Sequence, residues 1–252
     1  MTLPDFSPMP VYVVVGAAGG IGSALCRRLA KNQAANLVLG GRRAEPLQSL
    51  ASEVNGQALA GDATDPAYID QLVEKARQLH GRLDGIVNCV GSILLKPAHL
   101  TTPDEFQQVL TTNLVTAFSC VRAGANAMRE TGGSIVLLGT AACGIGLPNH
   151  EAIAAAKAGI NGLALSAAAS YAGRNIRVNV VAPGLTRTPL TARLTQNEAS
   201  TKASIAMHPL GRLGEPDDIA RAIEFFLDPC NSWVTGQVLA VDGGLSTLKT
   251  RA

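Results

Sequence analysis

Along nearly its whole length this chain alternates short, β-branched apolar runs with longer segments of helical period, and that alternation constrains the fold more than any other feature. Residues 11–15, 36–39, 57–60, 83–88, 134–138, 177–181 and 238–241 read as strands. Between them, residues 20–31, 45–54, 68–80, 112–129, 151–172 and 217–227 read as helices. A strand that reaches its parallel neighbour only through a helix makes a βαβ unit. The expected fold class is therefore α/β, a single Rossmann-type doubly wound parallel sheet with helices on both faces. One domain over residues 11–252 accounts for the length, after a short leader over 1–10 that lacks the basic head and apolar stretch of a signal peptide. The stretch 185–214 is long, polar and weakly periodic, and it follows a strand whose carboxyl end faces a ligand crevice in such sheets. It reads as a lid, with a structureless insertion as the alternative.

Composition removes several function classes. Basic and acidic residues number 21 and 19 and are interspersed, so no electrostatic footprint for nucleic acid arises. No stretch reads as a bilayer span, which predicts no membrane partner. Cys26, Cys89, Cys120, Cys143 and Cys230 are odd in number and show no ligand spacing. They read as reduced thiols of a cytoplasmic protein, with no metal site.

Directly after the first strand comes Gly16-Ala17-Ala18-Gly19-Gly20-Ile21-Gly22, opening the first helix. Glycines let the chain turn sharply and let backbone approach a pyrophosphate, while the free N–H groups of the helix start attract the anion. Gly16, Gly20, Ile21 and Gly22 are thus candidate cofactor-binding residues. Specificity is read about 20 residues on, where a carboxylate would hold a ribose 2′-OH and arginine a 2′-phosphate. The second strand runs into Arg42 and Arg43, with no acid before Glu45. Two guanidiniums favour NADP(H) over NAD(H).

The spacing of Gly16, Gly20 and Gly22 resembles the GxxxGxG pattern of the classical short-chain dehydrogenase/reductase family. Later segments resemble the same family in the same order. Asp62 resembles its adenine-contacting acid, and Asn88 to Gly91 its NNAG stretch. Asn113 resembles the Asn that organises an active-site water, and Pro183-Gly184 with Thr188 the segment that clamps the nicotinamide. Residues around Lys157 look like those of bacterial 3-oxoacyl-(acyl-carrier-protein) reductases. The resemblance implies a nicotinamide cofactor, a small-molecule carbonyl or alcohol substrate, and a homo-oligomer, dimer or tetramer, built on the small-residue helices 112–129 and 151–172.

It also exposes a departure. The family's YxxxK motif sets a proton-donating Tyr four residues before a Lys, on one helix face. Here Lys157 is present, but Ile153 stands where the Tyr belongs. The family's upstream serine falls on Thr140, whose hydroxyl can make the same hydrogen bond. Tyr171 lies about 21 Å farther along the helix, out of reach. His150, two turns before Lys157 on the same face, is the alternative proton carrier, with a bound water or simple helix initiation as the other readings. Asn113, Thr140, His150 and Lys157 are the candidate catalytic residues. The leading expectation is an NADP(H)-dependent oxidoreductase with an atypical active site; the alternative is a cofactor-binding, catalytically impaired member acting as sensor or partner subunit.

Overall fold

The computed structural model describes residues 9–249, so most of the expected leader, residues 1–8, lies outside the described residues. Val11–Val15 (β1) is buried at every position, as a strand covered on both faces must be, and its continuous valine run reflects that. It is an interior strand, third from one edge, of a seven-stranded, wholly parallel sheet of order β3-β2-β1-β4-β5-β6-β7. The partners are Asn36–Gly41 (β2), Gln57–Ala60 (β3), Gly85–Asn88 (β4), Gly133–Leu138 (β5), Ile176–Pro183 (β6) and Val238–Val241 (β7). Strand order reverses between β1 and β4. The crevice beyond their carboxyl ends is where such sheets take ligands.

Two apolar cores form, one on each face. Gly20–Gln33 (α1), Ala44–Glu53 (α2) and Pro216–Leu227 (α9) cover one through Leu25, Leu29, Leu47, Ile223 and Phe226. Pro66–His80 (α3), Thr116–Ala127 (α5) and Glu151–Tyr171 (α6) cover the other through Ile69, Leu72, Cys120, Ile160 and Ala164. Every expected strand and helix is present, with ends moved by a few residues.

Two expectations change and one helix is added. Pro103–Leu110 (α4) lies in a stretch to which the sequence reading assigned no element, although Thr102 caps it reciprocally with Glu105 and Pro103 occupies its first turn, a start signal visible in the sequence. The single helix expected over 112–129 instead begins as a π-helical turn, Thr111–Val115, before α5, and that turn carries Asn113. The segment 185–214 holds a short helix, Ala192–Thr195 (α7), and a longer one, Glu198–Met207 (α8), the latter capped by the Asn197 carboxamide. The structureless alternative for this segment is therefore set aside.

The membrane reading also needs a correction. Glu151–Arg174 is long and apolar enough to cross a bilayer by length and composition. Its apolar residues are alanine-rich and pack α6 against β6, α5 and the π turn. It is a core helix of the sheet's second layer.

Candidate active site

The loop after β1 builds the first half of the site. Gly16 has φ +81, and a Cβ there would stand 2.9 Å from the Cys89 and Val90 backbone, so the turn needs glycine and lets the loop lie against the end of β4. A Cβ on Gly20 would meet Thr188 at 2.8 Å, which places two expected cofactor residues from opposite ends of the chain in contact across an open cradle. Gly22 is buried in the first turn of α1. The cap residue Gly19 makes no side-chain bond and no acid lies in the first turn, so the N–H groups around Gly20, Ile21 and Gly22 remain for a ligand. A diphosphate suits this donor set.

Arg42 and Arg43 lie exposed at the end of β2, where α2 starts. The Arg43 guanidinium reaches back to the Ala18 carbonyl at 3.3 Å, so the cationic group sits over the glycine loop. Asp62 accepts from both the amide and the hydroxyl of Thr64 at 2.9 Å, and these bonds, with a smaller contribution from Arg42, hold its carboxyl below the usual range. This end of the crevice thus carries one anchored carboxylate and two guanidiniums.

The second half of the site forms where β4, β5 and β6 end. Buried Asn88 donates to Thr116 at 3.0 Å and accepts from the Val90 amide at 3.0 Å, which fixes the turn leading to Gly91. Gly91 faces Asn113 and Lys157: a Cβ there would lie 3.1 Å from Asn113 Oδ1 and 3.5 Å from Lys157 Nζ. Lys157 is buried in α6 and donates to the Leu138 carbonyl at 2.8 Å. Burial, partly offset by the neighbouring thiols of Cys143 and Cys89, brings its ammonium pKa down to about 8. Thr140, at the end of β5, accepts from the Ala142 amide at 3.3 Å and faces the same cavity.

That cavity has a volume of about 300 Å³. Ile21, Gly91, Thr140, His150, Ile153, Lys157, Pro183, Gly184 and Thr188 all line it, so α1, α6, β6 and the connections after β4, β5 and β6 meet at one cavity. Asn113 lies behind Gly91, while Asn88, Arg42, Arg43 and Asp62 are not among its lining residues. Ile153 is buried and packs with Val109, Ala152 and Ala156, presenting only methyl and methylene groups. His150 stands at the N-cap position of α6 without a side-chain capping bond, and its Nδ1 donates to the Pro148 carbonyl at 2.8 Å. Tyr171 sits at the far end of α6 against the core, consistent with a packing role.

Two site residues escaped the sequence reading. His208, at the end of α8, is buried; its Nε2 accepts from the Leu185 amide at 3.2 Å and its Nδ1 donates to the Ser204 carbonyl at 2.6 Å. It ties the roof helix to the turn at Gly184, and no local pattern announces it. Ser92, next to Gly91, is held by Asn113. Its position one residue past the NNAG-like stretch was the available signal.

Comparison with known proteins agrees with this geometry. Residues 16–246 match the family model described as Enoyl-(Acyl carrier protein) reductase. A 3alpha-hydroxysteroid dehydrogenase of Mediterraneibacter gnavus is 35% identical over 92% of this chain and 95% of its own length. A 3-oxoacyl-(acyl-carrier-protein) reductase of Thermotoga maritima is 36% identical over 93% and 97%. The structure of a short-chain type dehydrogenase/reductase from Mycobacterium ulcerans superposes with a TM-score of 0.90 at 27% identity, covering 98% of this chain and 91% of that one.

Proposed function

Because this chain belongs to the classical short-chain dehydrogenase/reductase family of oxidoreductases, we propose that it is an NADP(H)-dependent enzyme that reduces a carbonyl or oxidises an alcohol through an altered proton donor. The observation that carries the reading is the alignment, along one sheet edge, of a bare helix start under Gly20, the guanidiniums of Arg42 and Arg43, and buried Lys157 beside Gly91. The bound nicotinamide supplies or accepts a hydride at carbon. The rest falls to the chain. Amides of Gly20, Ile21 and Gly22 hold the diphosphate, Arg42 and Arg43 pair with a 2′-phosphate, and Asp62 takes the adenine edge. Asn88 and Gly91 shape the ribose side, Lys157 anchors the ribose hydroxyls, and Pro183, Gly184 and Thr188 hold the carboxamide end.

Thr140 donates to the substrate oxygen and Asn113 supports a water path toward Lys157. His150 or a water carries the proton, since Ile153 has no atom able to do so. The walls at Ile93, Leu95, Leu147, Ile153 and Leu190 suit an uncharged, apolar substrate. The segment 185–214 acts as a lid whose α8 roofs the cavity through Met207 and His208. Unpaired thiols at all five cysteines suit a reduced, cytoplasmic setting.

A homo-oligomer is part of the proposal. Phe118 on α5 is 55% exposed and Leu165 on α6 is 64% exposed, while Trp233 beside edge strand β7 is 99% exposed. Such apolar surface favours burial against a second copy.

The test is a fluorescence titration with NADPH and NADH, followed by loss of absorbance at 340 nm over a panel of ketones, quinones and acyl thioesters. Tighter binding of NADPH with turnover of at least one carbonyl is expected. Failure of both coenzymes to bind overturns the proposal. Binding without turnover in the parent, but with turnover in Ile153→Tyr, identifies the impaired alternative.

A further inference from the structure

Hydrogen-bond accounting around Asn113 fixes the direction of one hydroxyl that the reading above leaves unused. Asn113 is fully buried on the π turn. Its Oδ1 accepts from the Ser92 amide at 3.2 Å. Both hydrogens of its Nδ2 are also committed, one to the Val109 carbonyl at 2.9 Å and one to Ser92 Oγ at 2.9 Å. The carboxamide and Ser92 therefore form a reciprocal clasp in which Ser92 Oγ is the acceptor.

A hydroxyl carries one hydrogen and two lone pairs. With a lone pair engaged by Asn113, the Ser92 O–H is free to donate elsewhere, and among the described residues it makes no such bond. Ser92 is half-buried and lines the cavity together with Thr140, Ile153 and Lys157. Its neighbour Gly91 faces the Lys157 ammonium. A directed donor whose lone pair is already held by a buried amide costs little further ordering when a ligand oxygen arrives. Ile153, which lines the same cavity, offers no donor.

Building on the proposed function, we propose that Ser92, oriented by Asn113, is a substrate-binding residue whose hydroxyl donates a hydrogen bond to the substrate's carbonyl or alcohol oxygen, on the side left without a donor by Ile153. Asn113 is the positioning residue for that bond. Thr140 and Ser92 then hold the oxygen from two sides, and the apolar walls receive the remainder of an uncharged ketone. No proton transfer is assigned to Ser92.

The experiment uses calorimetric binding of cyclohexanone and of 2-decalone to the NADP⁺-loaded protein, a combination in which no hydride can move. Ser92→Ala is expected to bind ketone about threefold to tenfold more weakly, the range for loss of one neutral hydrogen bond. Ser92→Thr, which keeps the hydroxyl, is expected to retain parental affinity. NADP⁺ affinity is expected to remain at the parental value in both variants, while Tm falls in Ser92→Ala, where the buried Asn113 Nδ2–H loses its acceptor, and stays parental in Ser92→Thr. Equal ketone affinity in Ser92→Ala and parent overturns the inference, as does equal weakening in the alanine and threonine variants. Absence of ketone binding to the loaded parent overturns it too. Failure of NADP⁺ itself to bind sinks the proposed function instead, so the two failures are separable.

Discussion

The two ends of the crevice were built under different rules. At the proposed nucleotide end, the groups left free are mostly backbone amides, and the residues that matter are those that keep side chains out: Gly16 turns left-handed and Gly20 leaves the space that Thr188 would otherwise contest. At the proposed chemical end, specific side chains line a cavity of about 300 Å³, and Ile153 presents a hydrocarbon where the family resemblance implies an ionisable group. Backbone sites tolerate any sequence that preserves the turn. Side-chain sites change their chemistry with one substitution while the fold stays the same. The same α6 carries both Lys157 and Ile153, so on the proposed reading cofactor anchoring and proton supply are separable within one helix.

That separation is open to direct attack. The largest effect is expected from Ile153→Tyr, which restores a phenol four residues before Lys157. Turnover of a ketone followed at 340 nm is expected to rise by on the order of 100-fold or more, the contribution of a positioned general acid. An unchanged rate would show that another group already supplies the proton efficiently. Gly20→Val attacks the other end. Its branched side chain would collide with Thr188 and fill the cradle, and NADPH affinity in a fluorescence titration is expected to fall by about 100-fold, or ~2.7 kcal/mol.

Lys157 links the two ends through its charge. Its folded-state pKa of about 8 lies below its ordinary value of 10.5, so the unfolded chain binds the extra proton across that window. Stability therefore rises as pH increases from about 8 to about 10.5, and burial of the ammonium costs on the order of 3 kcal/mol below pH 8. Lys157→Met is expected to raise the Tm at pH 7, to remove this slope, and to weaken coenzyme binding. A pH-independent difference between variant and parent would contradict the assignment.

Smaller effects sharpen the picture. Arg42→Ala with Arg43→Ala is expected to weaken NADPH by about tenfold and leave NADH within twofold, because only the 2′-phosphate loses a partner. His150→Ala is expected to lower turnover while leaving NADPH affinity unchanged. Equal turnover would transfer the proton role to water.

The parallel sheet and the glycine loop were legible because each rests on local sequence: a valine run, a period, and a cluster of glycines at a strand end. The helix α4 was legible too and went unread, since Thr102, Pro103 and Glu105 spell a cap that the 112–129 period overshadowed. The π turn was not legible. One inserted residue per turn changes which side Asn113 faces without altering composition; the turn packs against α6 and sets Asn113 beside Gly91.

By itself, then, the order of residues determined the layered α/β scaffold, the glycine loop at a helix start and a hydrocarbon at position 153, because those follow from backbone preference and from side-chain identity. Only the folded chain decided that His208 pins the roof helix to the Gly184 turn and that Asn113 clasps Ser92 beside the cavity. These pairs lie 23 and 21 residues apart in the chain and meet through packing, and a hydrogen bond's direction depends on which donors and acceptors its neighbours have already used.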